Sequence, residues 1–582
     1  MGSLGAVNKY FAKYKWRLIL GLIFITASNL FTVIQPDVVR QVLDKVHGDI
    51  KGHIKVDSWF IIKSGLFLLG LAVMRGIFMF FMRQTIIVMS RHIEYDQKNE
   101  IYGHYQKLHT HFFKTHFTGD MMNRLSEDVS RVRMYTGPAI MYATNLVALT
   151  VLCLWYMFRV NVTLTIYVIA PLPFLALSVY LVNNLIYKKS EKIQAQLSGL
   201  TSTAQESYSG IRVIKSFVQE NNMMRFFNNT SEAYRKSSIN LSFTESVYFP
   251  AINFFVGISI LSTVFMGGYL AIHNQGVTVG NIAQFVLYIN LLMFPISSIG
   301  MVASLMQRAS VSQKRINEFL ETEPEIKSPA DAIAPRIKGA VVLDNVTFTY
   351  PHTGITALKD LNLNIAPGQK IAVIGRTGSG KSTIAHMLLR MYDVQQGAVL
   401  LDGQPITRFD LQQLRKQIAY APQDAFLFSD TIYNNIKFGN DEASEAQVKD
   451  AARLADLEKD IAGFADGYET VIGERGVMLS GGQKQRMVLA RALVKDSKIL
   501  MMDESLSAVD TQTEKTILQN LVPYLEGKTT IVITHRIFTG WQFDQIIVLD
   551  NGCIVEQGSH SELMRMDGRY AKLFRHQTET DH

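Results

Sequence analysis

Six stretches of about 20 mostly apolar residues crowd this chain before about Leu305, and a helix of that length is what crossing the ~30 Å hydrocarbon core of a bilayer requires. They run from Leu18 to Ile34, Phe60 to Met82, Ala139 to Phe158, Leu164 to Val182, Ala251 to Ile272 and Ile282 to Leu305. Pro171, Pro173 and Pro295 fall inside spans, where kinks are expected because neighbouring groups satisfy the freed carbonyls. At 582 residues and 48% hydrophobic, the chain is too long for one domain and too apolar for an ordinary cytosolic enzyme. From Gly339 onward charges and turn residues are evenly spread. The sequence therefore divides into a membrane region (1–322), a linker rich in proline (323–338) and a second domain (339–582).

The connections between spans alternate in length. Arg159-Val-Asn-Val and His273 to Gly280 are short and nearly uncharged, whereas Arg83 to Gly137 and Tyr187 to Tyr248 are long and rich in Lys and Arg. The positive-inside tendency puts the two long connections, both termini and the second domain in the cytoplasm. The first outer loop, Pro36 to Asp57, balances its charges and decides nothing. Helical apolar periodicity with few breakers predicts that both long connections continue the spans as helical arms that turn back at a short tip. An arm of about 25 residues reaches almost 40 Å at 1.5 Å per residue.

Several features of the first region take a structural reading. Arg75 lies within the second span, where a charge costs about 2.5–3.5 kcal/mol, so it is expected to face a wet cavity or a partner, with an anionic substrate as one option. His104, His109, His111 and His116 lack a companion metal motif and read as a solvated helix face. Leu4 to Lys15, apolar and basic at helical spacing, reads as an interfacial elbow helix. The basic start is followed by a long span without a small-residue cleavage site, so it is expected to be retained. The net charge of +8 is scattered, with no basic aromatic-interleaved patch for nucleic acid. Cys153 and Cys553, the two cysteines, make neither a disulfide framework nor a Cys-based metal site.

The second region carries a chemistry of its own. Lys370 to Ile374 reads as a buried strand and Ser382 to Tyr392 as a helix, with Gly375-Arg-Thr377-Gly378-Ser379-Gly380-Lys381-Ser382 between them. Strand, glycine-rich turn and helix N-terminus together make a phosphate cradle: backbone N–H groups face the anion and the helix dipole favours it. Lys381 is expected to reach the β- and γ-phosphates, and the Ser382 hydroxyl, followed by Thr383, to help hold Mg²⁺. Ile499 to Met502 reads as a second buried strand ending in Asp503, placed to hold the Mg²⁺ shell, and Glu504 is the candidate to orient or deprotonate the attacking water.

With Leu479-Ser480-Gly481-Gly482-Gln483 and His535 added, the order and spacing of these motifs resemble those of an ATP-binding cassette (ABC) transporter half-molecule of the exporter type, over about Leu18 to Met564. The resemblance implies a six-helix all-α transmembrane domain with long cytoplasmic helical extensions, followed by an α/β P-loop ATPase domain. It also implies residue roles. Ser480 and Gly482 would contact the γ-phosphate of ATP held by the opposite subunit. Gln423 would sense the γ-phosphate, share in Mg²⁺ binding and meet the arms. Tyr350 would stack on adenine, Asp510 would belong to the D-loop and His535 would be the switch histidine. Glu474 sits where exporters carry a loop that contacts the coupling helices. In the arms, Phe112-Phe113 with Thr118 to Asp128, and Glu206 with Gly210 to Phe217, resemble the exporter sequences at and after the coupling helices. Ser505-Leu506 departs from the more usual Ala-Thr after the glutamate, which makes Glu504 the first position to test.

A phosphate loop and a signature that must meet across two chains imply a dimer with ATP and Mg²⁺ as cofactors. Intact motifs favour a homodimer and leave a symmetric heterodimer open. The leading expectation is ATP-driven export of a hydrophobic or amphipathic drug or lipid by alternating access, in a bacterial plasma membrane. An importer of metal-chelate type and an ATP-gated channel or sensor are the alternatives.

Overall fold

The computed structural model describes residues 2–580 except 51, 53, 54, 274, 474, 475, 477 and 538–540. The chain forms two compact units, residues 1–105 with 119–322 and residues 106–118 with 323–582.

Six long helices build the first unit: α1 (Lys15–Ile50), α2 (Ser58–Tyr105), α3 (Thr118–Val160), α4 (Val162–Ser209), α5 (Glu220–Ile272) and α6 (Val279–Leu320). Each contains an apolar window long enough to span a bilayer, and the six predicted spans fall one in each. Helices of 36 to 53 residues are about 54–80 Å long, so they run well beyond the hydrocarbon core as the arm prediction required. The first outer loop differs from expectation. Helix α1 runs through Pro36 to Ile50 instead of ending there. One proline removes a single backbone hydrogen bond, and Arg40, 2.9 Å from Asp37 and 3.8 Å from Asp44, ties together the turns that follow. Helix α4 is interrupted at Ala170-Pro171 and restarts at Leu172, with Pro173 in the first turn, where a missing N–H costs least. Pro295 sits inside α6 without ending it. Helix α3 carries two π-helical turns, Arg124–Asp128 and Tyr135–Ala139.

Leu4, Val7 and Tyr10 are buried, so the N-terminal segment is packed on the first unit along its apolar face. Its basic face is paired, Lys9 with Glu100 at 2.5 Å and Lys13 with Asp96 at 2.6 Å. Where α2, α3 and α6 meet, Asp128 is fully buried; Ser312 donates to its Oδ1 at 2.7 Å and Arg315 lies 3.2 Å from Oδ2. The same arginine pairs with Asp120, and Gln97 of α2 donates to Gln313 of α6 at 3.0 Å. A buried carboxylate is tolerated only when paired and hydrogen-bonded.

In the second unit a six-stranded sheet has the order β10-β9-β3-β8-β7-β6. Its strands are β3 (Lys370–Gly375), β6 (Ile418–Ala421), β7 (Ile499–Asp503), β8 (Thr529–Thr534), β9 (Gln545–Asp550) and β10 (Cys553–Gly558). All neighbours pair in parallel except β10 with β9. Strands β7 and β8 are buried throughout, the pattern of a parallel sheet covered on both faces. An antiparallel sheet, order β2-β1-β4-β5, is formed by β1 (Val341–Thr349), β2 (Thr356–Ile365), β4 (Gln396–Leu401) and β5 (Gln404–Pro405). Leu343, Phe348 and Leu363 share a core with Val373, Met501 and Ile533. The helix after the phosphate loop, α7 (Lys381–Leu388), is shorter than predicted, because the chain turns left-handed at Arg390, φ 45°. The other two helices that concern the site are α8 (Gly481–Leu493) and α9 (Thr511–Tyr524).

Residues 106–118 belong to this unit and include a short helix, Thr110–Thr115, with Phe112 buried. The histidines of this stretch do not share a solvated face as expected. The Glu325 backbone N–H donates to His109 Nδ1 at 3.1 Å, while Nε2 sits 3.0 Å from the Glu325 carboxylate. Burial lowers the His109 pKa and favours the neutral ring, whose Nδ1 accepts from the Glu325 N–H. In the first unit, His104 Nε2 lies 3.0 Å from Thr322 O; His116 is exposed and stacked on Phe112. No metal-binding group of His, Cys, Asp or Glu is found among the described residues.

Replacing Asp128 by Ala removes the buried acceptor of Ser312 and leaves Arg315 with Asp120 as its one carboxylate among the described residues, a change of about 1–3 kcal/mol. The Asp128→Ala protein is expected to melt well below wild type in detergent, and an unchanged melting temperature rejects this role.

Candidate functional site

The C-terminal ends of β3, β7 and β8 lie side by side, and each delivers part of one cluster. Gly375 ends β3 and Lys381 opens α7. The loop between them requires glycine at 380: φ is 100°, and a Cβ there would collide with the carbonyl of Ala357. Thr377 and Gly378 are exposed on the loop, whereas Ser379 is buried and accepts from the Gly552 N–H at 3.0 Å through its carbonyl. Lys381 is buried and donates to the carbonyls of Gly375 (2.9 Å) and Arg376 (3.1 Å). Burial lowers its pKa, opposed by the carboxylates of Glu504 and Asp503.

Asp503 ends β7 and is 1% exposed. Ser382 donates to its Oδ1 at 3.0 Å and Tyr420 to its Oδ2 at 3.2 Å. Burial raises the Asp503 pKa, and these two donors oppose the rise. Glu504 follows in the left-handed region at φ 45°, which costs a non-glycine residue about 1–2 kcal/mol. Its N–H is fixed to Ile533 O on β8 at 2.8 Å, so the sheet holds the strained residue. The turn sends its carboxylate to His535 Nδ1 at 3.0 Å and to within 3.8 Å of Lys381 Nζ. His535 is half exposed, one residue past the end of β8.

Tyr350 follows β1. Its hydroxyl lies 3.0 Å from Thr383 Oγ1 and 3.1 Å from His386 Nδ1, and its ring meets Phe348 and Tyr392 edge-on. Seven predicted residues are thus brought together: Lys381, Glu504 and His535 in one set, Ser382 and Asp503 in a second joined to it at the Asp503–Glu504 peptide bond, and Tyr350 with Thr383 in a third.

The remaining predicted residues lie apart. Ser480 caps α8 in a reciprocal box with Gln483, whose side-chain amide donates to Asp460 at 2.8 Å. Gly481 faces the Ala508 methyl group and Gly482 the Ala508 backbone, where a Cβ at Gly482 would lie 2.9 Å from the carbonyl oxygen. Among the described residues no hydrogen bond or ion pair joins 480–483 to Lys381, Ser382, Asp503 or Glu504. Gln423 is exposed beyond β6, and Asp510 caps α9 by accepting from the Gln512 and Thr513 N–H groups. Glu474 lies outside the described residues.

Three side chains join this arrangement without having been predicted. Tyr420 stands opposite Met501 in the parallel register of β6 and β7, which brings its hydroxyl to Asp503. Gln485 donates to Ser507 Oγ at 2.8 Å and accepts from the Ala508 N–H at 2.8 Å, fastening α8 to the chain after Glu504. His386 is one helical turn beyond Thr383, and i,i+3 spacing was the available signal.

The architecture and motifs agree with three comparisons. The family described as "ABC transporter transmembrane region" matches residues 18–296, and the one described as "ABC transporter" matches residues 358–507. A probable multidrug resistance ABC transporter ATP-binding/permease protein, YheI of Bacillus subtilis, is 34% identical over 98% of this chain and 96% of its own length. An ATP-dependent lipid A-core flippase of Photobacterium profundum is 31% identical over 97% of this chain and 96% of its own. A bacterial Atm1-family ABC exporter, solved with ATP bound, superposes with a TM-score of 0.79 at 26% identity over 97% of this chain and 99% of the other. A multi-pass membrane unit and a nucleotide-binding ATPase unit fused in one polypeptide, matched along almost their whole length, identify the chain as a half-transporter that belongs to the ABC transporter family.

Proposed function

We propose that the chain is an exporter that couples ATP hydrolysis to movement of an amphipathic substrate across a bacterial plasma membrane, working as a dimer with the ATPase unit in the cytoplasm. The observation that carries the reading is the split of the motifs: one chain gathers Lys381, Ser382, Asp503, Glu504 and His535, while its own Ser480 and Gly482 lie elsewhere. A second subunit would supply the signature to each nucleotide. Exposed apolar residues at the tip between α4 and α5, Val213, Phe217 and Val218, support a partner surface there. A homodimer is the simpler arrangement, because both halves of the composite site are intact in this sequence.

In this reading the loop from Gly375 to Thr383, with Thr377, Gly378, Ser379 and Gly380, cradles the phosphates, and Lys381 turns from its own carbonyls to the β- and γ-phosphates. Tyr350 stacks on adenine. Ser382 and Asp503, an all-oxygen set with one deeply buried carboxylate, fit a Mg²⁺ ion, and exposed Gln423 is free to complete the set. Bound there, the ion would supply positive charge to neutralise the phosphate oxygens. Glu504 orients or deprotonates the attacking water, and His535 fixes that carboxylate while contacting the γ-phosphate. Gly481, Gln483 and Asp510 shape the signature and D-loop against the partner. Two ATP molecules close the dimer, the helical arms carry that closure to the membrane unit, and hydrolysis reopens it.

The substrate class is supported by a cavity of about 400 Å³ among α1, α2, α3 and α6. Arg75, Arg83, Asn29, Tyr142, Asn145 and Asn290 line it together with apolar side chains. Among the described residues neither arginine has a carboxylate within ion-pair distance, and the amide nitrogen of Asn29, 6% exposed, has no partner. An acidic group on an otherwise apolar molecule would satisfy all three.

Glu504→Gln is expected to cut ATP turnover by at least about 100-fold with ATP binding intact, and wild-type turnover would reject the assignment. Lys381→Ala should instead lose nucleotide affinity, measured by equilibrium binding; unchanged affinity would rule out its role on the phosphates. In the Arg75→Ala/Arg83→Ala protein, stimulation of ATPase activity by anionic amphiphiles should fall sharply while that by neutral ones persists. Equal loss for both would exclude charge recognition.

A further inference from the structure

The hydroxyl of Tyr350 sits between two groups on one face of α7. Thr383 and His386 are three residues apart, hence neighbours on the helix surface, and they lie 3.0 and 3.1 Å from the same oxygen. The tyrosine ring itself is bracketed edge-on by Phe348 at 4.9 Å and Tyr392 at 5.4 Å between centroids. Edges and hydroxyl are therefore fixed, and the ring has little freedom to rotate. The imidazole of His386 is held neutral by burial, reinforced by the Lys114 ammonium from residues 106–118, both of which lower its pKa. A neutral ring with a proton on Nε2 accepts the Tyr350 hydroxyl proton at Nδ1, while the Thr383 hydroxyl donates to the tyrosine oxygen. The tyrosine oxygen then donates once and accepts once without competition.

We propose that His386 is a positioning residue for the nucleotide base, setting the plane of the Tyr350 ring through its hydroxyl so that the stacking surface exists before ATP arrives. The proposal rests on the reading of Tyr350 as the base-stacking residue. It implies that the helix receiving the phosphates at its first turn also fixes the adenine platform at its second. Base and triphosphate are thus registered by one rigid element. A preorganised platform favours binding because less side-chain freedom is lost when the ligand docks.

The test is steady-state ATPase kinetics of the reconstituted full-length protein. Losing one hydrogen bond of about 1 kcal/mol predicts that His386→Ala raises KM for ATP about five-fold, with kcat falling less than two-fold. Tyr350→Phe, which keeps the ring and removes the hydroxyl, should reproduce that change, and adding His386→Ala to it should raise KM no further. His386→Asn, whose Oδ1 accepts in place of Nδ1, should restore most of the affinity. If His386→Ala fails to fold, the comparison of Tyr350→Phe with its His386→Asn double variant carries the same question. The inference is overturned if KM is unchanged by His386→Ala while Tyr350→Ala raises it, or if the effects of His386→Ala and Tyr350→Phe add. Should Tyr350→Ala itself leave KM unchanged, the stacking assignment fails and the inference falls with it.

Discussion

A buried carboxylate at the end of a central strand organises the ATPase unit. Asp503 is out of water, and leaving it unpaired would cost several kcal/mol. Ser382 from the start of α7 and Tyr420 from β6 both donate to it, so three chain segments must meet at one point. Glu504 inherits its place from that arrangement. Its left-handed backbone is held by a bond to β8, the strand that also leads to His535. The cluster at this end of the sheet is therefore a consequence of satisfying one buried charge.

The membrane unit obeys the same rule in another solvent. Its long helices satisfy their own backbones, which is what lipid demands, while polar side chains are gathered where helices meet. Asp128, Ser312 and Arg315 form such a point, and Tyr288, fully buried, donates to Val33 O at 3.1 Å. The cavity lined by Arg75 and Arg83 is the exception, since among the described residues neither guanidinium has a carboxylate within ion-pair distance.

Much of this was legible in the linear chain. Apolar windows located each long helix of the first unit because a spanning helix satisfies its own backbone, and the glycines at 375–380 marked the turn between β3 and α7, where only glycine fits at position 380. Where reading failed, a distant contact had overruled a local signal. Pro36 marks a helix end by propensity, yet the Asp37, Arg40 and Asp44 pairs carry α1 onward. The histidines around position 109 look like a solvated cluster by spacing, yet the N–H of Glu325, more than two hundred residues away, donates to His109 Nδ1 and its carboxylate lies 3.0 Å from Nε2.

The sequence by itself determined the two regions, the six spans, the phosphate loop and the identities of the residues able to handle a nucleotide, because periodicity, composition and motif spacing are local properties. Tertiary structure alone decided which of those residues meet. The parallel register of β3, β7 and β8 joins Lys381, Asp503, Glu504 and His535, and adds Tyr420, while α8 keeps Ser480 and Gly482 away from them. The reason is that proximity across a sheet depends on the order and register in which strands pair, and no short stretch of chain carries that information.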